Sequence, residues 1–273
     1  MRWTKVVGAA AFYLLAVRSH SYAQPAADAG YPLEYVARPL ALPAGAVEAS
    51  GELDWVHGRA GTDYNAEQFN IQGRYSLGQA ELDVGAGFLI DQDFGAAIPG
   101  TPAPEVEHFA SITAGARYNV DHNLQIAGEL LVGTPTRSEA RLLTPRISLL
   151  SRHHLAPHTA IDVIGTAAYQ TYTSDDPMLM QLDVFEIGGE VRAIAQLSPN
   201  VAAQALARLT LYDPIDDSMV PGATPGFESF LFQYFAAGAI VTASPSLDIT
   251  VHGAIPNQST VELMVGVTGR FLP

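Results

Sequence analysis

No cysteine occurs in the 273 residues, which excludes disulfide frameworks, thiol catalysis and the commonest structural zinc sites. Lysine is almost missing too: Lys5 is the only one, so every later base is an arginine. Only 15% of residues are charged, and 28 acids stand against 14 bases for a formal net charge of −14. A chain with so few clustered bases has little with which to displace counterions from phosphates, so no nucleic-acid partner is expected. No apolar run is long enough for a transmembrane helix, which needs about 20 residues. GxSxG elements and Gly-rich strand-to-helix phosphate loops are missing as well. What the sequence does hold is 48% hydrophobic residues, enough to offset chain ordering and well outside the composition of disordered chains.

The first residues read as an export signal. Arg2 and Lys5 precede a mainly apolar stretch over 6–17, and Ser21 and Ala23 place small residues three and one positions before a cut after Ala23. That three-part pattern is a secretory signal peptide, 1–23, with an apolar run too short to span a bilayer. Its removal takes three bases (Arg2, Lys5, Arg18) and no acid, leaving a still more acidic remainder. With no cysteine at the cut, no lipid acylation and no helical anchor are expected.

Residues 24–45 carry Pro25, Pro32, Pro39 and Pro43. Proline resists strand pairing, so this stretch is expected to be an irregular periplasmic lead or a segment tucked into the lumen, with the lead favoured. From Ala46 onward the dominant signal has period two. Val47, Ala49, Gly51, Leu53 and Trp55 interleave with Glu48, Ser50, Glu52 and Asp54; Ala80, Leu82 and Val84 interleave with Glu81 and Asp83. The same alternation recurs as far as Val261 to Phe271, giving about twelve strands. Two places resist the rule. Pro145 interrupts the sixth run, which calls for a bulge or a shifted boundary, and the tenth run is apolar on both parities.

Period two alone also suits a soluble β-sandwich. Three features favour a closed antiparallel barrel over 46–273. The strand count is even, with short turns after the even strands and long links such as 91–105 and 213–226 after odd ones. One parity is nearly free of charge while the other mixes Arg, Glu and Asp with small residues. Trp55, Tyr118, Tyr169 and Phe271 fall near strand ends, where aromatic girdles sit. Gly266-Val267-Thr268-Gly269-Arg270-Phe271 then resembles the closing-strand signal of bacterial outer-membrane β-barrel proteins, a Gly five positions before a final aromatic. Gly269 stands where that signal has a second large apolar residue, and Leu272-Pro273 runs past its end. The resemblance implies an all-β transmembrane barrel of about twelve strands in the cell outer membrane, with short periplasmic turns and longer extracellular loops. It also implies contact with outer-membrane lipid and passage through the barrel-assembly machinery.

On the polar parity the acids expected to line the lumen are Glu48, Glu52, Asp54, Glu81, Asp83, Glu129, Asp162, Glu186, Glu190, Asp248 and Glu262. The bases are Arg74, Arg117, Arg146, Arg152, Arg192, Arg208 and Arg270, and His252 joins them. An acid excess in a low-dielectric-walled cleft attracts cations. The leading expectation is a passive, porin-like channel for small solutes. A non-conducting barrel that presents its loops for adhesion or partner binding is the alternative. An outer-membrane hydrolase is third, with His252 beside Thr250 and Asp248 on one parity; no catalytic residue is assigned and the chain is read as a non-enzyme. His153, His154 and His158 fall at the end of the sixth run and its turn and read as solvated residues rather than metal ligands, and the pairs Asp91/Asp93, Asp175/Asp176 and Asp216/Asp217, the last with Asp213, as ordinary acidic loops without EF-hand spacing. No cofactor or metal is expected.

Overall fold

The structure, a computed structural model, describes residues 31–59, 63–94, 111–133, 141–173, 182–214, 230–257 and 260–273. The expected signal peptide, residues 24–30 and most of the long links, with Asp175, Asp176, Asp216 and Asp217, lie outside them. Twelve strands follow in chain order: β1 Val47–Arg59, β2 Asp63–Ser76, β3 Ala80–Phe94, β4 Ser111–Asp121, β5 Leu124–Gly133, β6 Arg141–Ala156, β7 Thr159–Thr173, β8 Leu182–Ser198, β9 Val201–Pro214, β10 Phe230–Ser244, β11 Leu247–Asn257 and β12 Thr260–Phe271. Each pairs antiparallel with its neighbours in sequence, and β1 closes on β12 from Val47↔Phe271 to Gly58↔Thr260. Closure removes the sheet edges, so every strand has partners on both sides. The chain enters and leaves the barrel at the same end, the one where the even strands turn tightly into the odd ones.

The strands run further than alternation alone suggests: β2 starts at Asp63, and β3 continues through Asp91 and Asp93, expected as loop. Polar residues do not end a strand while the ladder continues to satisfy their backbone. Pro145 causes neither a bulge nor a boundary. Leu143↔Thr171 and Arg146↔Ala168 keep register across it, and only the pairing toward β7 lapses at Thr144 and Pro145. The ambiguous tenth run is resolved by its partners. Leu231, Phe235 and Val241 are exposed on the outer face while Ile240 and Thr242, on the other parity, are 1% exposed.

The outer face is apolar and uncovered. Val84 (62%), Ile147 (58%), Leu130 and Val265 stand exposed at mid-strand, and Trp55, Tyr118, Tyr169 and Phe271 are exposed toward the strand ends. An apolar belt of this extent on a closed barrel, flanked by aromatics, is a surface made for hydrocarbon. The polar parity is the buried one: Glu81, Asp83, Asp162, Asp248 and Arg270 are all under a tenth exposed.

Candidate functional site

The interior is built from charged side chains that meet across neighbouring strands. On one wall Arg270 (β12) reaches Glu48 (β1) at 2.6 Å and Asp248 (β11) at 2.6 Å. Arg74 (β2) lies 3.2 Å from Glu48 and 3.3 Å from Glu81 (β3). Arg117 (β4) takes Asp83 at 2.9 Å, with Glu129 (β5) at 3.9 Å. A polar cavity of about 90 Å³ opens among Glu48, Ser50, Gln72, Arg74 and Arg117. On the other wall Arg152 (β6) donates from Nε and an Nη to the two oxygens of Asp162 (β7), both at 2.7 Å. Glu190 (β8) accepts from Arg192 at 3.0 Å and from Arg208 (β9) at 2.6 Å, and Glu186 accepts from Gln170 at 2.7 Å with Arg146 at 4.0 Å. Several of these pairs are directly opposite in register, among them Glu48↔Arg74, Glu48↔Arg270 and Glu190↔Arg208. Cross-strand placement of opposite charges stabilises the pairing that creates it.

Residues 31–46 lie across the mouth at the short-turn end, inside the wall, the second of the two placements the sequence allowed. The stretch is irregular apart from one 3₁₀ turn, Tyr35–Ala37. Val36, fully buried, packs among Ala160, Ile194, Ala202 and Ile240 of β7 to β10, with Tyr35 beside them. Arg38, 2% exposed, donates to Asp248 at 2.5 Å, and Arg152 donates to the Arg38 carbonyl at 2.7 Å. The Leu42 N–H donates to Glu81 Oε1 at 2.8 Å, His154 bonds the Val36 carbonyl at 2.9 Å, and Glu34 lies 3.7 Å from His158. The Arg38 and Arg270 guanidiniums sit 5.4 and 5.7 Å from the Tyr31 ring. Burial pushes the Tyr31 hydroxyl above the ordinary tyrosine value, although Arg270 acts against that shift. Gly45, at φ 80°, makes the bend into β1. The physical reason for the docking is complementary: an apolar niche for Val36, and buried carboxylates that need the donors this segment brings.

Sequence reasoning did not find this niche. Its signal was present, because Ile194 and Ile240 are apolar on the polar parity, which is wasteful in a lumen unless something apolar covers them.

The interior is not uniformly filled. Arg152 and Arg270, at the short-turn end, keep 5 and 6% of side-chain surface, whereas Arg192, Arg146 and Arg208, further along the barrel, keep 29, 34 and 47%. His252 lies against Gly238, where an added Cβ would collide with the His252 ring and the Val251 carbonyl. Its Nε2 is buried with no hydrogen-bond partner among the described residues. Asp248 is held by Arg38, Arg270 and Thr242, so it is not available to orient His252 as the acid of a hydrolytic triad. Of the three histidines expected at the end of the sixth strand and its turn, His153 and His154 stand on β6, and His153 bonds Ser151 at 3.1 Å. Among the described residues no group of three or more His, Asp or Glu is arranged to hold a metal ion.

The barrel is similar to solved structures across most of its length. An outer-membrane channel from Pseudomonas putida F1 matches with a TM-score of 0.58 at 11% identity, over 92% of this chain and 100% of that one. The NanC porin matches with a TM-score of 0.51 at 9% identity, over 81% and 98%. The β-domain of the Bordetella autotransporter BrkA matches at 0.52 and 11%, over 84% and 100%. No protein-family model and no curated protein matches the sequence. Likeness at these identities is a likeness of fold, and the fold is that of the bacterial outer-membrane β-barrels: closed, antiparallel and twelve-stranded, with tight turns at one end and longer links at the other.

Proposed function

We propose that this chain resides in the outer membrane as a passive, porin-like channel for small solutes, exported by the signal peptide read at 1–23 and not acting as an enzyme. The observation that carries the reading is the exposure of Arg146, Arg192 and Arg208 on the inner wall. A barrel filled to rigidify itself would bury these side chains as it buries Arg152, because an accessible guanidinium inside a hydrocarbon-clad wall implies water around it. Arg146, Arg192 and Arg208 line that water, while Glu81, Asp83, Asp162 and Asp248 lie buried in the wall behind it. Tight turns at one end support an orientation with that end in the periplasm, in which residues 31–46 narrow the periplasmic mouth. The fold neighbours include a channel and a porin, which agrees with this use of the fold. Outer-membrane lipid and the assembly machinery that inserts such barrels are its partners; no cofactor enters.

A second reading, a non-conducting barrel that displays its outer links to a partner, draws on the same segment, since Val36 and Arg38 fill the mouth they occupy. Single-channel recording on the refolded mature chain in a planar bilayer, under a salt gradient, separates the two. Discrete steps with a reversal potential favouring cations are expected. Silent insertion of a chain whose gel migration is heat-modifiable removes the channel and transfers the function to the links.

A further inference from the structure

The charges of the inner wall are balanced at one end and separated at the other. Near the short turns each guanidinium has its carboxylate, as in Arg152 with Asp162 and Arg270 with Glu48 and Asp248. Further along, Glu52 and Asp54 on β1 and Glu262 on β12 form no ion pair among the described residues. Glu52 and Asp54 stand two residues apart on the same face of β1, and Glu262, paired with Val56, is diagonal to Asp54 across the β1–β12 seam. Asp54 is 8% exposed; one oxygen accepts from Asn70 at 2.7 Å and the other, Oδ1, has no hydrogen-bond partner among the described residues. Three crowded carboxylates without a counterion make a place for a cationic group. On β8 and β9 the imbalance is reversed, because Arg192 and Arg208 share the single carboxylate of Glu190. Arg208, the most exposed of these bases, keeps donors free for an anionic oxygen.

The two poles are close. The Tyr234 ring lies 5.3 Å from the Arg208 guanidinium, and its hydroxyl donates to Met264 Sδ at 3.5 Å. Met264 is the residue that pairs with Asp54 in register. An organic ammonium suits the acidic pole, because its N–H donors need only carboxylate oxygens as acceptors. A simple anion meets the net acid excess and a simple cation meets the arginines. A molecule carrying both charges satisfies both poles at once.

We propose that the lumen selects small zwitterions, solutes bearing an ammonium and a carboxylate together, and that Glu52, Glu262, Arg192 and Arg208 are the residues that read them. This rests on the channel reading and deepens it. The test is uptake of labelled L-alanine, L-lactate and glycerol, three solutes of one carbon count, into vesicles holding the full mature chain, with protein-free vesicles subtracted. Alanine is expected to enter about threefold faster than glycerol or better, and lactate slower than glycerol, as charge focusing in a low-dielectric wall dictates. In R192Q/R208Q and, separately, in E52Q/E262Q the alanine-to-glycerol ratio is expected to fall to about one; the glycerol signal reports that each variant has folded. Alanine entering no faster than glycerol through the unaltered protein, or ratios unmoved in both variants, overturns the proposal while the channel stands. Glycerol failing to enter at all removes the channel, and this inference with it.

Discussion

Arg38, ahead of the first strand, donates to Asp248 of β11 across 210 positions of sequence, at 2.5 Å and with both side chains at most 3% exposed. Asp248 does not depend on it alone: Arg270 donates to the same oxygen at 2.6 Å and Thr242 to the other at 2.8 Å. The two ends of the contact therefore differ in consequence. Arg38→Ala leaves the carboxylate satisfied and removes a charge-assisted bond worth about 1.5–3 kcal/mol from the docked segment. Chymotrypsin is expected to cut after Tyr35 roughly ten- to a hundredfold faster, since cleavage tracks the population of the released segment, while the barrel stays folded. Mass spectrometry of the digest reads this directly.

Asp248→Ala strikes the barrel itself. Two buried guanidiniums lose their shared carboxylate, and breaking a buried pair from one side costs about 3–5 kcal/mol. The folded fraction in a urea titration, followed by heat-modifiable migration, should shift to lower denaturant well beyond the shift of Arg38→Ala. Equal shifts would mean that the segment, and not β11, carries the importance of this cluster.

The Val36 side chain fills an apolar niche among Ala160, Ile194, Ala202 and Ile240, where a carboxylate would lose its hydration. Val36→Asp should free residues 31–46 as Arg38→Ala does, and more completely, and single-channel steps should grow in amplitude as the mouth is cleared. An unchanged conductance would show that ions already pass the segment without hindrance.

Gly238, on the inner parity of β10 with Ile240, and Gly128, on the outer parity of β5 with Leu130, give a paired test of packing on the two sides of the wall. A Cβ at Gly238 meets the Val251 carbonyl and the His252 ring, whereas one at Gly128 meets nothing within 4 Å. Gly238→Ala is expected to cost about 1–3 kcal/mol by overpacking, and Gly128→Ala to leave the unfolding midpoint in place.

The outer face is tested at Leu130, exposed at mid-strand on β5 beside the inward Glu129. Arginine at a lipid-facing midplane position costs about 2–4 kcal/mol, so Leu130→Arg should lower refolding yield in phospholipid vesicles. Glu129→Gln, one residue away, should not. The reverse order would invert the barrel.

The sequence by itself determined the barrel. A period of two leaves each side chain only two directions, so the charge-free parity over Val47 to Phe271 already states which face meets hydrocarbon and which carries Glu48, Arg74 or Glu190. Short turns after the even strands state the topology, because a tight turn permits only an antiparallel neighbour. Alternation is weaker where both parities are apolar or a proline intervenes, and there the neighbours decided: β9 and β11 fixed which face Ile240 takes, and register carried β6 through Pro145. Only the tertiary structure decided what occupies the interior. Whether Arg38 meets Asp248, whether Val36 finds Ile194, and which of eleven inner acids lack a base depend on closure. Closing the ring brings strands far apart in sequence around one small space, and the pattern of one strand holds no information about what stands across it.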